Sequence, residues 1–245
     1  MNLILLSSDD FVCDTRATLT DRRARHVIDV HRARLGERLR VGRLGGNMGS
    51  ARVCGLSQDE VAFDEIDLCE APPEPLPIRL ILALPRPKVL SRVLESVAAL
   101  GIQELFLVNA ARVEKSYFDS PRLSPEEVRA SLLRGLEQGC DTRLPRVEIR
   151  ERFRPFVEDE VPTFFADARR LMAHPGVRDR LADLLCDSLP PTTPIVVALG
   201  PEGGFVPFEL ELLQVQGFRP FHLGERILRV ETSVAFVIGQ LTMTI

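Results

Sequence analysis

Ile195-Val196-Val197-Ala198-Leu199-Gly200-Pro201-Glu202-Gly203-Gly204 is a run of five apolar residues that breaks directly into a glycine-rich turn. A short apolar run, β-branched and bounded at once by Gly and Pro, reads as a strand buried on both faces. That is the pattern of a parallel sheet covered by helices. Ligands of open α/β sheets bind beyond the carboxyl ends of the strands, so the turn at 200–204 stands where a site is expected. Gly200, Gly203 and Gly204 let backbone pass close to a bound group and leave N–H donors unobstructed. A purely structural turn accounts for the same glycines. Neither a Gly-Lys-Ser/Thr sequence nor GxGxxG is present, so the turn is not a known phosphate loop. Glu202 would repel phosphate, and suits a polar, non-phosphate ligand or a structural anchor.

The surrounding sequence extends the same pattern. Ile78 to Leu84 is almost continuously apolar, and Val89, Leu90, Val93, Leu94, Val97 and Ala98 form a stripe at helical spacing. Gly101 ends that helix and Ile102 to Val108 supplies another strand, completing a right-handed βαβ unit. Ser124-Pro125-Glu126-Glu127 combines an N-cap Ser, Pro at the first helical position and Glu at the third, predicting a helix to about Cys140. Val147–Ile149 and Thr163–Ala166 are expected as short strands. Residues 175–194 hold a short helix and a proline-rich loop. Pro207–Val215 reads as a helix turning Phe208, Leu212 and Val215 inward. Pro220–Leu223 is expected as a strand and Glu231–Leu241 as a final apolar helix.

The N-terminal region differs. Asn2–Leu6 predicts a strand, and Thr20 is the expected N-cap of a helix carrying Ala24, Val27 and Ile28. Arg38–Val41, Ala51–Leu56 and Val61–Leu68 read as short strands, with 42–49 a glycine-rich hairpin connection. This is a small barrel or sheet module. Pro72, Pro73, Pro75 and Pro77 form a stiff linker, dividing the chain into expected domains 1–72 and 73–245.

The chain has 245 residues and a net charge of −4, ample for a buried core and ordinary for a globular protein. The charge is uneven: Arg16 to Arg43 holds nine Arg against Asp21, Asp29 and Glu37, whereas Asp59 to Glu70 holds six acidic residues and no basic one. A solvated basic stretch beside an acidic edge and a phosphate-contacting face both fit this distribution. Cys13, Cys54, Cys69, Cys140 and Cys186 lack paired spacing and the four His are scattered, so no metal site is expected and the thiols are expected reduced. The opening residues are too short and too soon acidic for a signal peptide, and no apolar run approaches about 18 residues, so no membrane span is expected.

A second cluster, Leu223-Gly224-Glu225-Arg226-Ile227-Leu228-Arg229-Val230-Glu231-Thr232-Ser233, places charges around an Ile-Leu pair at the mouth of the last helix. A solvated loop whose Arg226 pairs with Glu225 is one reading. With Gly-Pro-Glu-Gly-Gly at 200–204, however, this cluster resembles the ribosomal RNA small subunit methyltransferase E family, of the knotted SPOUT class. Arg22 to Val41 is similar to that family's N-terminal RNA-binding module, and Leu136 to Pro145 to its Glu-Gln-Ser-Gly-Arg segment. The likeness covers nearly the whole chain.

The resemblance implies an α/β fold: a C-terminal SPOUT domain with a deep trefoil knot, plus a small N-terminal PUA-like β-barrel module. It implies S-adenosylmethionine as cofactor, bound by Leu199, Gly200, Gly203, Gly204, Leu223, Gly224, Ile227, Leu228 and Arg229. The implied reaction is methylation of N3 of a uridine in small-subunit (16S) ribosomal RNA, with Arg229 and Glu231 as candidate catalytic residues. Arg22, Arg23, Arg25, Arg32, Arg34 and Arg143 are the candidate RNA contacts, and a cytoplasmic homodimer acting on the assembled or assembling small subunit is implied. Departures exist. Where the family has a Lys, two further residues and Glu-Leu-Gly, this chain has Val97-Ala98-Ala99-Leu100-Gly101. The usual Arg falls on Asp141, and the usual Thr and Ala are Val230 and Ser233. A knotted-class RNA methyltransferase with another target nucleotide and a non-catalytic RNA-binding protein retaining the fold are the alternatives.

Overall fold

The computed structural model describes residues 2–185 and 193–243. Two compact units emerge, Met1–Glu74 with Leu132–Leu144, and Pro75–Ser131 with Pro145–Ile245. The prolines lie at the division, but a single cut at residue 72 does not describe it, because 132–144 return to the first unit. The reason lies at a helix end. The carbonyl of Glu137 accepts from the N–H groups of Asn2 and Leu3 at 3.0 Å, satisfying an acceptor the helix leaves open. The Glu137 carboxylate receives Arg22 through two bonds of 2.8 Å.

The first unit contains one sheet in the order β1 (Ile4–Leu6), β4 (Arg38–Arg43), β5 (Met48–Leu56), β6 (Val61–Glu70), β3 (Arg16–Leu19), β2 (Phe11–Cys13). β1 pairs with β4 in parallel and the other neighbours are antiparallel. Irregular register between β5 and β6 bends the ribbon, as bulges do. At Gly49 the strands approach so closely that a Cβ would stand 1.9 Å from the Asp67 carbonyl oxygen, so only glycine fits. The core gathers Leu6, Leu19, Val27, Val41, Val53 and Phe63. The β2–β3 hairpin was not anticipated, since β2 has three residues without polar–apolar alternation and β3 alternates over only four. α1 (Arg22–Arg25), continued by a π-helical turn over His26–His31, is capped by the Asp21 side chain and not by Thr20. The Asp21 carboxylate reaches the Arg23 N–H at 2.8 Å.

The second unit is an all-parallel sheet, ordered β12 (Arg219–Phe221), β10 (Arg169–Ala173), β11 (Ile195–Leu199), β7 (Ile78–Ala83), β8 (Glu104–Val108), β9 (Arg146–Arg150). Every residue of β11 is buried, as its unbroken apolar run requires. The edge strand β9 instead carries Arg146, Glu148 and Arg150 in ion pairs of 2.5 and 2.8 Å, charges that discourage edge-to-edge association. α2 (Pro87–Ala99) follows β7 and buries the expected stripe apart from Val89, which is only partly buried. α3 (Pro125–Gly139) starts at Ser124, whose hydroxyl accepts from the Glu127 N–H at 3.3 Å.

Two expectations fail between β9 and β11. Residues 163–166, expected as a strand, instead finish a helical stretch made of α4 (Phe153–Pro155), a π-helical turn over Phe156–Glu160 and α5 (Val161–Phe164), with 165 and 166 in the turn that follows. The strand is β10, beginning five residues after α5, where Arg169 and Arg170 precede a short apolar run. α6 (Leu181–Leu185) is the expected short helix. The proline-rich loop after it, with Cys186, lies outside the described residues.

α7 (Pro207–Val215) and α8 (Val230–Thr242) complete the unit. α7 does not turn Phe208 and Val215 inward; they are 53% and 73% exposed, and Glu209 and Leu213 are buried instead. The Glu209 carboxylate fixes this rotation by accepting from the N–H groups of Val206 at 2.9 Å and Ala111 at 2.7 Å. From edge strand β12 the chain returns so that α8 packs against α2 and β11. No helix among the described residues is long and apolar enough to cross a membrane.

Candidate functional site

β10 and β11 run parallel in register and end together at Ala173 and Leu199. Beyond these ends lies an open, partly apolar cleft, the kind of concavity in which small molecules bind. The turn after β11 forms one wall, with Leu199, Gly200 and Gly204. The loop before α8 forms the other, with Leu223, Gly224, Ile227 and Leu228. Segments about twenty residues apart in sequence thus meet because α7 and β12 return the chain to the same end of the sheet.

Glycine is required here for two different reasons. A Cβ on Gly200 would sit 2.9 Å from the Phe205 backbone nitrogen, so the turn closes only without a side chain. Gly204 and Gly224 adopt φ of +72° and +119°, conformations that L side chains disfavour. The turn is fastened by the Gly204 N–H donating to the Pro201 carbonyl at 2.7 Å. Glu202 is an anchor: its carboxylate accepts from the Arg86 N–H at 3.3 Å, ahead of α2, whose N-terminal partial positive charge favours an anion.

Gly203 and Arg229, expected among the cofactor contacts, do not line the cleft. Gly203 faces Arg112, and its carbonyl accepts from that guanidinium. Arg229 is the N-cap residue of α8, exposed, and without an ion pair among the described residues. Glu231 is half-buried in the first turn of α8 and forms no ion pair with Arg229. The Arg226–Glu225 pair of the solvated-loop reading is absent among the described residues as well.

The arginine-rich stretch divides into committed and uncommitted side chains. Arg23 is a structural residue: its guanidinium bonds Asp10 at 2.7 and 2.9 Å, Asp21 at 3.0 and 3.1 Å, and the Leu5 carbonyl at 2.5 Å. Only 14% of that side chain is exposed, so no face remains for a phosphate. Burial works against its charge, but the two carboxylates outweigh burial and hold its pKa above the ordinary value. Arg22 is spoken for by Glu137. Arg143 donates to the Pro73 carbonyl and lies 3.5 Å from Glu74. On the sheet, Arg38 and Arg40 meet Glu65 and Glu70 at 3.0 and 3.2 Å, so the acidic edge neutralises part of the basic stretch. Arg25, Arg32 and Arg34 stay at least partly exposed, Arg25 with only a 3.8 Å approach to Asp59. Asp141 is buried and accepts from the N–H groups of Thr142 and Arg143, shaping its own turn.

Residues 72–242 match the family model described as the RNA methyltransferase domain. Over 236 residues the chain is 30% identical to the ribosomal RNA small subunit methyltransferase E of Treponema pallidum, covering 95% of this chain and 87% of that protein. The chain belongs to the ribosomal RNA small subunit methyltransferase E family. A further member, the methyltransferase E 1 of Borreliella burgdorferi, is 24% identical with 95% of this chain and 94% of its own length covered. The fold is shared with the methyltransferase E of Neisseria gonorrhoeae, a crystal structure bound to S-adenosyl methionine. That similarity has a TM-score of 0.75 at 22% identity, covering 99% and 97% of the two chains.

Two site features of this family member, His174 and Arg112, were not picked out from sequence. His174, directly after β10, lines the cleft. Burial pushes its imidazole below the usual range, and the Arg112 charge adds to the effect. Arg112, from the loop after β8, secures the Gly203 carbonyl. Arg226 also lines the cleft. His174-Pro175 carried no periodic signal, because its placement depends on the unforeseen strand β10.

Proposed function

We propose that this chain transfers the methyl group of S-adenosylmethionine to N3 of a uridine in small-subunit ribosomal RNA. One observation carries the reading: the cleft stands at the carboxyl ends of β10 and β11, walled by the two segments that resemble the family's cofactor loops. The wall fits that ligand. Its glycines leave backbone bare, and Leu199, Leu223, Ile227 and Leu228 offer apolar surface for an adenine ring and a methionine chain. When bound, the sulfonium supplies an activated methyl group.

The chain's own residues then orient and prepare the acceptor. N3 of uridine carries a proton and attacks only as that proton leaves. Arg229 stabilises the negative charge that spreads onto the uracil carbonyls, aided by the field at the α8 N-terminus. Glu231, which forms no ion pair with Arg229, takes the N3 proton. Arg25, Arg32 and Arg34 supply phosphate contacts from a PUA-like barrel, for which the bulged sheet of the first unit speaks. We also infer a deep trefoil knot, supported by the return of the chain from edge strand β12 to pack α8 on α2 and β11. The enzyme acts as a cytoplasmic homodimer on the assembled or assembling subunit. Phe208, Val215, Ile227 and Phe236 are 53%, 73%, 79% and 43% exposed, an apolar allotment that a partner copy would cover.

Calorimetry with S-adenosylmethionine, paired with transfer of a labelled methyl group to small ribosomal subunits, tests the proposal. Binding and RNA labelling are expected. A folded protein that binds no donor would favour the non-catalytic alternative.

A further inference from the structure

We infer that His174 is a binding residue of the donor cleft, and that its ring has to be neutral for the cleft to take a positively charged ligand. The inference rests on the reading of this cleft as the S-adenosylmethionine site. Its position is set by the sheet: the His174 N–H donates to the Phe221 carbonyl at 2.9 Å, extending the pairing of β10 with β12. The residue lines the cleft together with Ala173, the glycine turn and the loop before α8.

The charges around it argue for neutrality. Arg112 is fastened to the turn through the Gly203 carbonyl, and it fits because Gly203 has no side chain; a Cβ there would lie 2.8 Å from the Arg112 Cδ. Partial burial and that guanidinium both push the His174 imidazole below its usual pKa, disfavouring its charged form. Two other charged groups line the cleft. Glu202 is engaged by the Arg86 N–H at 3.3 Å and lies 3.9 Å from its guanidinium, and Arg226 has no ion pair among the described residues. The cleft therefore already holds a partly neutralised carboxylate and an uncompensated cation. A neutral imidazole adds one donor and one acceptor without adding charge. A protonated one would add a second cation beside a ligand that carries a sulfonium, and Coulomb repulsion over a few ångströms at a partly exposed site is enough to change affinity severalfold.

S-adenosylhomocysteine shares the other groups of the donor but lacks the sulfonium charge, so the ratio of the two affinities isolates this effect. The dissociation constants of both ligands are measured by calorimetry from about pH 7.5 down to about pH 5.5. The preference for S-adenosylmethionine should fall about threefold or more as His174 protonates, since one titration step can change an affinity up to about tenfold per pH unit. In the His174→Gln variant, which cannot protonate, the ratio should stay flat. A second reading needs no substitution: by linkage, S-adenosylmethionine should depress the His174 pKa, followed by ring NMR, further than S-adenosylhomocysteine does. A flat ratio in the unaltered protein, an unchanged slope in His174→Gln, or equal depression by both ligands overturns the inference. If neither ligand binds at about pH 7.5, the donor-site reading falls first and this inference with it.

Discussion

Replacing Gly204 separates backbone conformation from crowding at the cleft. Its φ is +72°, and a Cβ built there meets no heavy atom within 4 Å. An alanine is therefore penalised for conformation alone, about 1–2 kcal/mol for an L residue held in the left-handed region. At about 1.36 kcal/mol per factor of ten, that amounts to about 5- to 30-fold, spread between loop stability and donor affinity. Asparagine tolerates this region better than alanine, although its side chain is larger. The order expected in donor affinity and thermal stability together is Gly, then Asn, then Ala, then Val. Calorimetry with S-adenosylmethionine and thermal denaturation of the four proteins provide the comparison. If Asn proves worse than Ala, side-chain bulk in the cleft decides the matter and the conformational argument is wrong. Gly200→Ala is the contrasting case, because there the added Cβ would press to 2.9 Å against the Phe205 nitrogen, a backbone atom that cannot swing aside.

Arg229→Ala should leave the donor dissociation constant within a few-fold while lowering single-turnover methylation about 100-fold, as removal of one transition-state donor does; an equal drop in donor affinity would remove the catalytic role. Arg23→Ala should destabilise the chain by about 3 kcal/mol in urea denaturation, because Asp10 and the Leu5 carbonyl are left without their partner. A variant as stable as the parent would return Arg23 to the RNA-facing set. Changing Arg25, Arg32 and Arg34 together to Ala should lessen the salt dependence of RNA binding by about one unit of log–log slope for each phosphate no longer neutralised, with donor affinity unchanged. An unaltered slope would move the RNA face elsewhere.

The glycine turn and the parallel sheet were legible from sequence because both follow from local rules: an apolar run buried on two faces, and a break at its end. The same rules located α2, the Ser124 cap of α3, and α8. β10 escaped because Arg169 and Arg170 occupy its first two positions, leaving only three apolar residues in a row, and the partners of Arg170 lie outside the strand. The Arg170 guanidinium bonds the Phe165 carbonyl at 2.9 and 3.1 Å and the Gln216 carbonyl at 2.7 Å. With β10 unseen, His174 could not be assigned to the cleft. Arg23 illustrates the limit of reading charge from composition. A run of arginines does not reveal which of them face carboxylates that fold back from elsewhere in the chain, as Asp10 and Glu137 do. The orientation of α7 failed for a related reason, since Glu209 owes its burial to an N–H of Ala111 that is remote in sequence.

The most direct test of the methyl-transfer account is the identity of the nucleoside produced. Small ribosomal subunits from a strain deleted for this chain are incubated with the purified protein and isotopically labelled S-adenosylmethionine, then digested and resolved by mass spectrometry. The account predicts that the label appears in N3-methyluridine, a nucleoside that the deletion removes from its usual position and the protein restores. Label in a different nucleoside would contradict the uridine assignment and support a knotted-class enzyme with another target. Absence of label despite bound donor would contradict methyl transfer to this RNA.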